Sequence, residues 1–461
     1  MANRIDQVIG LIEKNREDFI EDLKEILRIP SVSADPARAG EVRRCAEWLA
    51  DRLKRAGLEH ATLHEIGGHP LVTADWLHAQ GKPTVLIYGH YDVQPDDPVD
   101  LWETPPFEPT IRDGKIWARG ATDDKGQLMM HVHALESYLA VHGSLPVNVK
   151  IMMEGEEEIA TENLSAFVAA NKDLLSADVI VVSDTGMFSK ELPGITVGLR
   201  GLVYMQLDLT GPGHDLHSGS FGGGVENPAN ALAAIIASMK DEAGKVLIPG
   251  FYDDVVPLTD EERAEFARLP YDEERFLKET GAPKPFGEEG YTVLERMSAR
   301  PTLDVNGIFG GFAGEGPKTV LPSKAGAKIS MRLVPNQDPD RIARLFEEHV
   351  ARVCPDTVRF EIRQFSGAYP FVTPLTDPSL QAAARALERA FGIKPVFIRE
   401  GGSIPVVATL SENLGIPIVL MGFGLPSENA HAPNENFDLD NYHKGTLSSA
   451  YLMEELSLPG K

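Results

Sequence analysis

Short runs of apolar residues, each closed by an acidic or imidazole side chain, alternate along this chain with longer stretches of helical period. Residues 84–88, 147–153 and 177–183 are too short for helices and too uniformly apolar for half-exposed strands. They predict strands buried on both faces. The first runs into His90 and Asp92, the second into EGEEEIA (154–160), and the third into Asp184. Between the first two stands GATDDKG (120–126), with a helix predicted over 127–142. Residues 1–35, stopping at Pro30, and 39–56 also read as helices, and Leu71–Trp76 as a strand. Strands alternating with helices predict a mostly parallel mixed sheet flanked by helices.

From about Gly198 the texture changes. Strands at 202–209, 302–308, 325–334 and 358–364, with helices at 228–239 and Pro339–Val353, spell β-α-β-β-α-β. That is the pattern of a ferredoxin-like α+β domain. Residues 241–300, acidic and Pro-bearing, interrupt it and fit no predicted element. The α/β texture returns with a helix at 379–391, strands at 395–398 and 416–421, and a last helix at 444–455. The expected division is therefore a main domain in two parts, 1–197 and 369–461, with 198–368 inserted between them.

The length of 461 residues agrees with two cores rather than one. With 44 basic against 69 acidic residues, the net charge of −25 argues against nucleic acid or an anionic membrane as partner. No apolar run is long enough for a membrane span. The first thirty residues are amphipathic and carry acids throughout, which reads as a surface helix rather than a signal peptide and points to the cytoplasm. Two cysteines, Cys45 and Cys354, suit a reducing compartment and cannot build a thiolate metal cage. Any metal here must be held by His, Asp and Glu.

Those residue types sit where strands end. His90 and Asp92, two apart in an extended segment, can face one cavity at the carboxyl edge of the sheet, where open α/β sheets place ligands. Asp123/Asp124, Glu156–Glu158 and Asp184 follow other strands or feed a helix, and His431 comes late, in ENAHAPNEN. Carboxylates converging on one edge repel unless cations compensate them. Three carboxylates and two imidazoles can hold two divalent ions if one carboxylate bridges, a bridging hydroxide completing the charge balance. Such ion pairs activate water for hydrolysis, and a further Glu beside them serves as general base.

Jointly, LRIPSVS, GHYDVQP, ARGATDDKG, EGEEEIA, VSDTG, GLRG, DLHSG, TVLPSKA, SMRLVPN, EGGSIP and the late His431 resemble the M20 metallopeptidase family, over nearly the whole length. The likeness is nearest to its cytosolic non-specific dipeptidase and carnosinase branch. The resemblance implies His90 and Asp184 on the first metal, Glu158 and His431 on the second, and Asp123 bridging both. It implies Asp92 as the carboxylate orienting His90, and Glu157 as general base. His217 would reach the partner subunit's site and stabilise the oxyanion, with the inserted domain acting as lid and dimerisation module. Thr319, Arg332, Glu400, Gly402 and Ser403 fall where that branch contacts substrate, and Arg332 suits a carboxylate clamp. The implied activity is hydrolysis of dipeptides by a homodimer with two zinc or manganese ions per subunit, cobalt being admissible. An N-acyl-amino-acid deacylase or desuccinylase is the alternative within the family, and a non-catalytic metal-binding protein the alternative outside it.

Two registers are chosen by that pattern. Ala160 fits the small position closing EGEEEIA only if Glu157 and Glu158 are the functional pair, leaving Glu156 as filler. Asp123 matches the bridge, leaving Asp124 as a helix N-cap or first-turn acid. Other histidines read as bystanders. His64 and His69 are wrongly spaced for a zinc-protease helix and flank Gly67–Gly68, and His131 and His133 point to nearly opposite sides of their helix. Of His214 and His217, only the second matches the family's motif.

Overall fold

The computed structural model describes residues 4–159, 161–402 and 404–458. It divides into two compact units, one of Met1–Val197, Thr373–Ile398 and Pro405–Lys461, the other of Gly198–Val372 and Arg399–Ile404. The chain thus returns to the first unit at Thr373, four residues beyond the expected 369, and a six-residue stretch that includes Glu400 and Gly402 groups with the second.

The main sheet of the first unit is built around β1 (Glu59–His64), β2 (Leu71–Trp76), β3 (Thr84–His90), β4 (Asn148–Glu154), β5 (Val179–Val182), β6 (Gly194–Leu199) and β7 (Ile418–Leu420), with Phe371–Val372 and Val396–Glu400 pairing β6. They lie in the order β1-β2-β4-β3-β5-β7-β6. The central four, β4-β3-β5-β7, are mutually parallel. The flanks are antiparallel, through β1 with β2, β2 with β4, and β7 with β6. Central strands buried on both faces need apolar side chains at every position, which is why 84–88 and 179–182 read as unbroken apolar runs.

The crossover from β3 to β4 is the helix Lys125–His142. Its buried residues, Lys125 through Leu135 with Ser137 and Tyr138, surround it rather than forming one stripe. It packs with Arg4–Lys14 and Leu439–Ser457, and the latter packs with Pro378–Phe391. The N-terminal segment is two helices, Arg4–Lys14 and Arg16–Leu27, rather than one running to Pro30. The last helix starts at Leu439, not near 444, and is capped by the Asp438 carboxylate on the Asp440 and Asn441 amides.

The second unit carries an antiparallel sheet in the order Thr302–Gly310, Lys324–Leu333, Gly201–Thr210, Arg359–Ala368. In chain order that is 2-3-1-4, and with the helices Pro228–Ala237 and Pro339–Val353 it is the ferredoxin-like arrangement. Leu232, Ile235, Ile342, Phe346 and Val350 from those helices meet Val203, Met205, Leu207 and Ile329 of the sheet in one core. The unassigned 241–300 segment holds three short helices, Asp260–Arg268, Glu273–Thr280 and Val293–Ser298. Among the described residues no helix is long and apolar enough to cross a membrane.

Candidate metal centre

Three adjacent parallel strands deliver the polar cluster. His90 ends β3, Glu157 and Glu158 follow β4 by one turn, and Asp184 lies two residues past β5. Asp123 arrives from the loop ahead of Lys125–His142, and His431 from the loop between β7 and the strand Asn436–Asp438. Gly155 permits the close packing after β4, because a Cβ there would collide with the Tyr91 hydroxyl.

Asp123 is the meeting point. One of its oxygens lies 3.0 Å from His90 Nε2 and the other 2.8 Å from His431 Nε2. His90 Nε2 is also 3.7 Å from Asp184, and His431 Nε2 is 3.4 Å from Glu158. Donor atoms of His90, Glu157 and Asp184 all lie within 4.8 Å of one another, as do those of Asp123, Glu158 and His431. The structure thus brings together all five residues expected as metal ligands, with Glu157 beside them. All six are oxygen or imidazole donors, in two groups joined through Asp123, and that set fits two divalent cations.

The protonation of the cluster tells the same story. Burial pushes the Glu157 carboxyl up to about 8, and burial with the Asp123 charge pushes Glu158 up to about 7. Burial likewise raises Asp184. Burial opposes the His90 imidazolium, but Asp184 and Asp123 overcome it and hold that imidazole well above its ordinary value. The Asp123 hydrogen bond lifts His431 to about 9. For Asp123 burial works upward, but the hydrogen bonds from both imidazoles outweigh it and hold the group below the usual carboxylate range. Without cations, protons and imidazolium charge compensate the acids; bound cations would take over that role.

Around these donors lies a layer of carboxylates that reach no ligand's coordinating atom. Asp92 is fully buried, and its two oxygens accept the backbone N–H groups of Glu157 (3.3 Å) and Glu158 (3.2 Å). His90 Nδ1 is nearer the Asp92 main-chain carbonyl, at 3.1 Å, than its carboxylate, at 3.5 Å. Asp92 therefore positions the Glu157–Glu158 turn as directly as it orients His90. Asp124 occupies the N-cap position of Lys125–His142, but its side chain makes no capping bond. Instead it accepts the His90 backbone N–H at 3.1 Å, which corrects the N-cap expectation. Glu156, expected as filler, accepts from the His69 amide, the Thr161 hydroxyl and the Asn163 side chain.

Sequence reasoning missed two carboxylates of the His431 loop. Glu435 accepts the amides of Gly120 (2.9 Å), Thr122 (3.0 Å) and Asp123 (3.2 Å), and pairs with the buried Arg119 guanidinium at 2.8 Å. Glu428 accepts the Thr122 hydroxyl and the amides of Leu425 and Asp438, each at 2.8 Å. Together they fasten the loop bearing His431 to the loop bearing Asp123. His431 itself sits at φ 61°, a left-handed conformation costly for a non-glycine residue. The only sequence signal was the pair of acids in ENAHAPNEN, which resemble ordinary loop charges.

His131 and His133 are buried in hydrogen bonds elsewhere, His131 between Ser183 and Ser449 and His133 against Asp22 and Tyr442. His64 lies on β1, so no zinc-protease helix exists there.

The remaining predicted residues belong to the second unit. His217 and Thr319 are neighbours: His217 pairs with Val320 across a two-stranded ladder, and the Thr319 carbonyl accepts the Ser218 amide at 3.0 Å. His217 Nδ1 accepts the Gly219 N–H at 3.0 Å, which assigns the ring proton to Nε2 when the ring is neutral. Arg332 lies on Lys324–Leu333 opposite Leu202. The half-buried Arg200 donates to the carbonyls of Gly401 and Arg300. Burial, and after it the Arg332 charge, push the Arg200 guanidinium down to about 10. The Gly402 carbonyl accepts the Arg200 amide at 3.1 Å, and Glu400 ends the strand Val396–Glu400. Ser403 lies outside the described residues.

A two-unit α/β fold presenting this donor set defines a metallohydrolase. The chain belongs to peptidase family M20/M25/M40, whose family model matches residues 86–455. It is 34% identical over 472 residues to the Cys-Gly metallodipeptidase dug1 of Schizosaccharomyces pombe, covering 99% of both proteins. It is 32% identical to human beta-Ala-His dipeptidase, over 98% of this chain and 93% of that one. Among solved structures, the M20 family metallo-carboxypeptidase Sso-CP2 of Sulfolobus solfataricus superposes with a TM-score of 0.81 at 36% identity, over 95% of this chain and 99% of that one.

Proposed function

We propose that this chain is a dipeptidase that uses two divalent metal ions to hydrolyse the amide bond of a small dipeptide. The observation carrying the reading is the convergence of two donor groups on Asp123, with a half-buried glutamate, Glu157, beside them. The Cys-Gly and beta-Ala-His dipeptidases among its relatives support the substrate class over acylated amino acids.

His90 and Asp184 would hold one ion, Glu158 and His431 the other, and Asp123 both; zinc and manganese suit this donor set. When bound, such ions acidify water and polarise the scissile carbonyl. Glu157 accepts a proton from the attacking water as its oxygen bonds to the carbonyl carbon. It returns that proton to the amine as the C–N bond breaks. The Nε2–H of His217 is the donor for the carbonyl oxygen as it gains charge, supplied by a second copy of the chain. Arg332, with Arg200 beside it, receives the substrate carboxylate. Thr319, Glu400, Gly402 and Ser403 contact the substrate's backbone and termini. We place the working form as a homodimer in the cytoplasm. Exposed Ile308, Phe309, Phe360 and Phe365, on the two edge strands of the second unit's sheet, support self-association. The cysteines, neither in a disulfide, agree with a reducing compartment.

The likeness to a carboxypeptidase favours one second reading, removal of the last residue from longer peptides. The arginine pair serves either substrate, since both end in a carboxylate. The test is metal-stripped protein, with zinc or manganese restored, on free dipeptides, longer peptides and N-acyl amino acids. Metal-dependent turnover is expected to be highest on dipeptides. Glu157→Ala is expected to lose about 10²–10⁴-fold in kcat while binding the same metal. Preference for longer peptides would favour the second reading, and cleavage of acyl amino acids alone would overturn both. His217→Ala should lose kcat with metal content unchanged; retention of most of kcat would remove His217 from the chemistry.

A further inference from the structure

We propose a third divalent metal site, separate from the catalytic pair, formed by Glu59, His60, Asp75 and His78 on the β1–β2 edge of the sheet. A regular strand points adjacent residues to opposite faces. Here the register of β1 against β2 shifts between Glu59 and Thr62, and His60 takes φ 51°. That bulge delivers two successive side chains to one carboxylate. Glu59 stands directly opposite Asp75, and His60 Nδ1 lies 2.8 Å from an Asp75 oxygen. His78, just past the end of β2, brings its Nε2 to 2.8 Å from the second acid, Glu59.

Donor atoms of Glu59, His60 and Asp75 all lie within 4.8 Å of one another. Two ligands on one tetrahedral zinc are about 3.3 Å apart, given bonds of about 2.0–2.1 Å, so small torsional adjustments of the exposed Glu59 and His60 side chains around the half-buried Asp75 close the three, and His78 joins them from its contact with Glu59. Two carboxylates facing each other across a strand pair are mutually repulsive. With neutral imidazoles the set carries two negative charges, which one divalent ion cancels. Lys150, paired with Asp75 from β4, attracts that carboxylate through its charge but hydrogen-bonds the Asp173 carbonyl and the Ser176 hydroxyl, so it compensates at most one of the two acids. Two imidazoles with two carboxylates select an ion of borderline softness, of which zinc is the type. The site fastens the edge strand β1 to β2 at a distance in the sheet from the carboxyl-end cluster.

The test counts metal on the untagged, full-length chain. Stripped protein is dialysed to equilibrium against buffered free Zn²⁺ and assayed by elemental analysis, beside the double variant His60→Ala/His78→Ala. The wild type is expected to hold one equivalent more than the double variant, with dipeptide turnover unchanged between them. Adventitious surface binding is common to both and cancels in the difference. Equal stoichiometry would overturn the site. Glu59→Gln, which preserves side-chain shape, gives a second reading by calorimetry: the outlying equivalent should bind at least tenfold more weakly. Unchanged affinity in that variant would equally overturn the proposal. Because the readout is a difference of one equivalent, it stands or falls independently of how many ions the catalytic cluster holds.

Discussion

Two clusters of histidine and carboxylate sit on one sheet and are built in opposite ways. At β1–β2 a single backbone irregularity gathers three exposed side chains and the half-buried Asp75, which hydrogen-bond one another. At the carboxyl ends of β3, β4 and β5 the donors run from fully buried His90 through half-buried carboxylates to exposed His431, and further carboxylates, those of Asp92, Asp124, Glu428 and Glu435, hold the backbone beneath them. Both sets have metal-binding chemistry, but only the second is pre-organised. Fixing each donor before the ion arrives is what separates a catalytic site from a surface chelate.

The sharpest way to break this contrast is to remove a support without touching a donor. Glu435→Gln places an amide where three backbone N–H groups expect an acceptor and leaves the buried Arg119 without its counter-charge. Breaking one partner of such a pair costs about 3–5 kcal/mol. Loss of a group that orients ligands weakens metal binding about 10–100-fold. The expected outcome is a lower urea midpoint together with weaker binding of metal at the catalytic cluster. Unchanged metal affinity would mean that the Asp123 and His431 loops hold their shape without Glu435.

A second test sharpens the contrast through pH. His131 lies on the helix that follows Asp123, fully buried between two serines. Ser183 donates to the Met421 carbonyl, so His131 Nε2 donates to Ser183, and Nδ1 accepts from Ser449. Burial therefore pushes this imidazole from 6.5 down to about 4. The unfolded chain takes up the proton near 6.5 and the folded chain only near 4. Stability is thus fully present above 6.5 and drains away as the pH falls toward 4, by about 3 kcal/mol. His131→Gln should flatten that part of the pH–stability curve, and an equally steep curve in the variant would exonerate His131.

Much of this architecture could be read before any coordinates, and the reason is local. The parallel strands are continuous apolar runs, and each donor stands within a few residues of the strand or helix that carries it. The supports are invisible for the opposite reason. Glu435 meets Asp123 across 312 residues, and Asp124 meets the His90 amide across 34, so neither pairing leaves a mark in local sequence. The last helix begins at Leu439, ahead of the expected 444, where the Asp438 carboxylate caps it, and Asn441 and His443 of its first turns are buried by tertiary packing. The 241–300 segment did carry a readable signal: Thr259 with Glu262, and Thr292 with Glu295, form capping boxes at two of its helices.

The smallest expected effect tests the other side of the comparison. If the β1–β2 cluster is unsupported, its members contribute almost nothing until an ion joins them. The hydrogen bonds of His60 to Asp75 and of His78 to Glu59 are solvent-exposed, and exposed charge pairs are usually worth little. In metal-free protein, His60→Ala/His78→Ala should therefore unfold at the wild-type temperature within measurement error. With zinc present the wild type alone should gain stability, because an ion that binds only the folded form stabilises it by mass action. A drop in the metal-free melting temperature would show that the bulge depends on its side-chain contacts. The two clusters would then differ in exposure but not in pre-organisation.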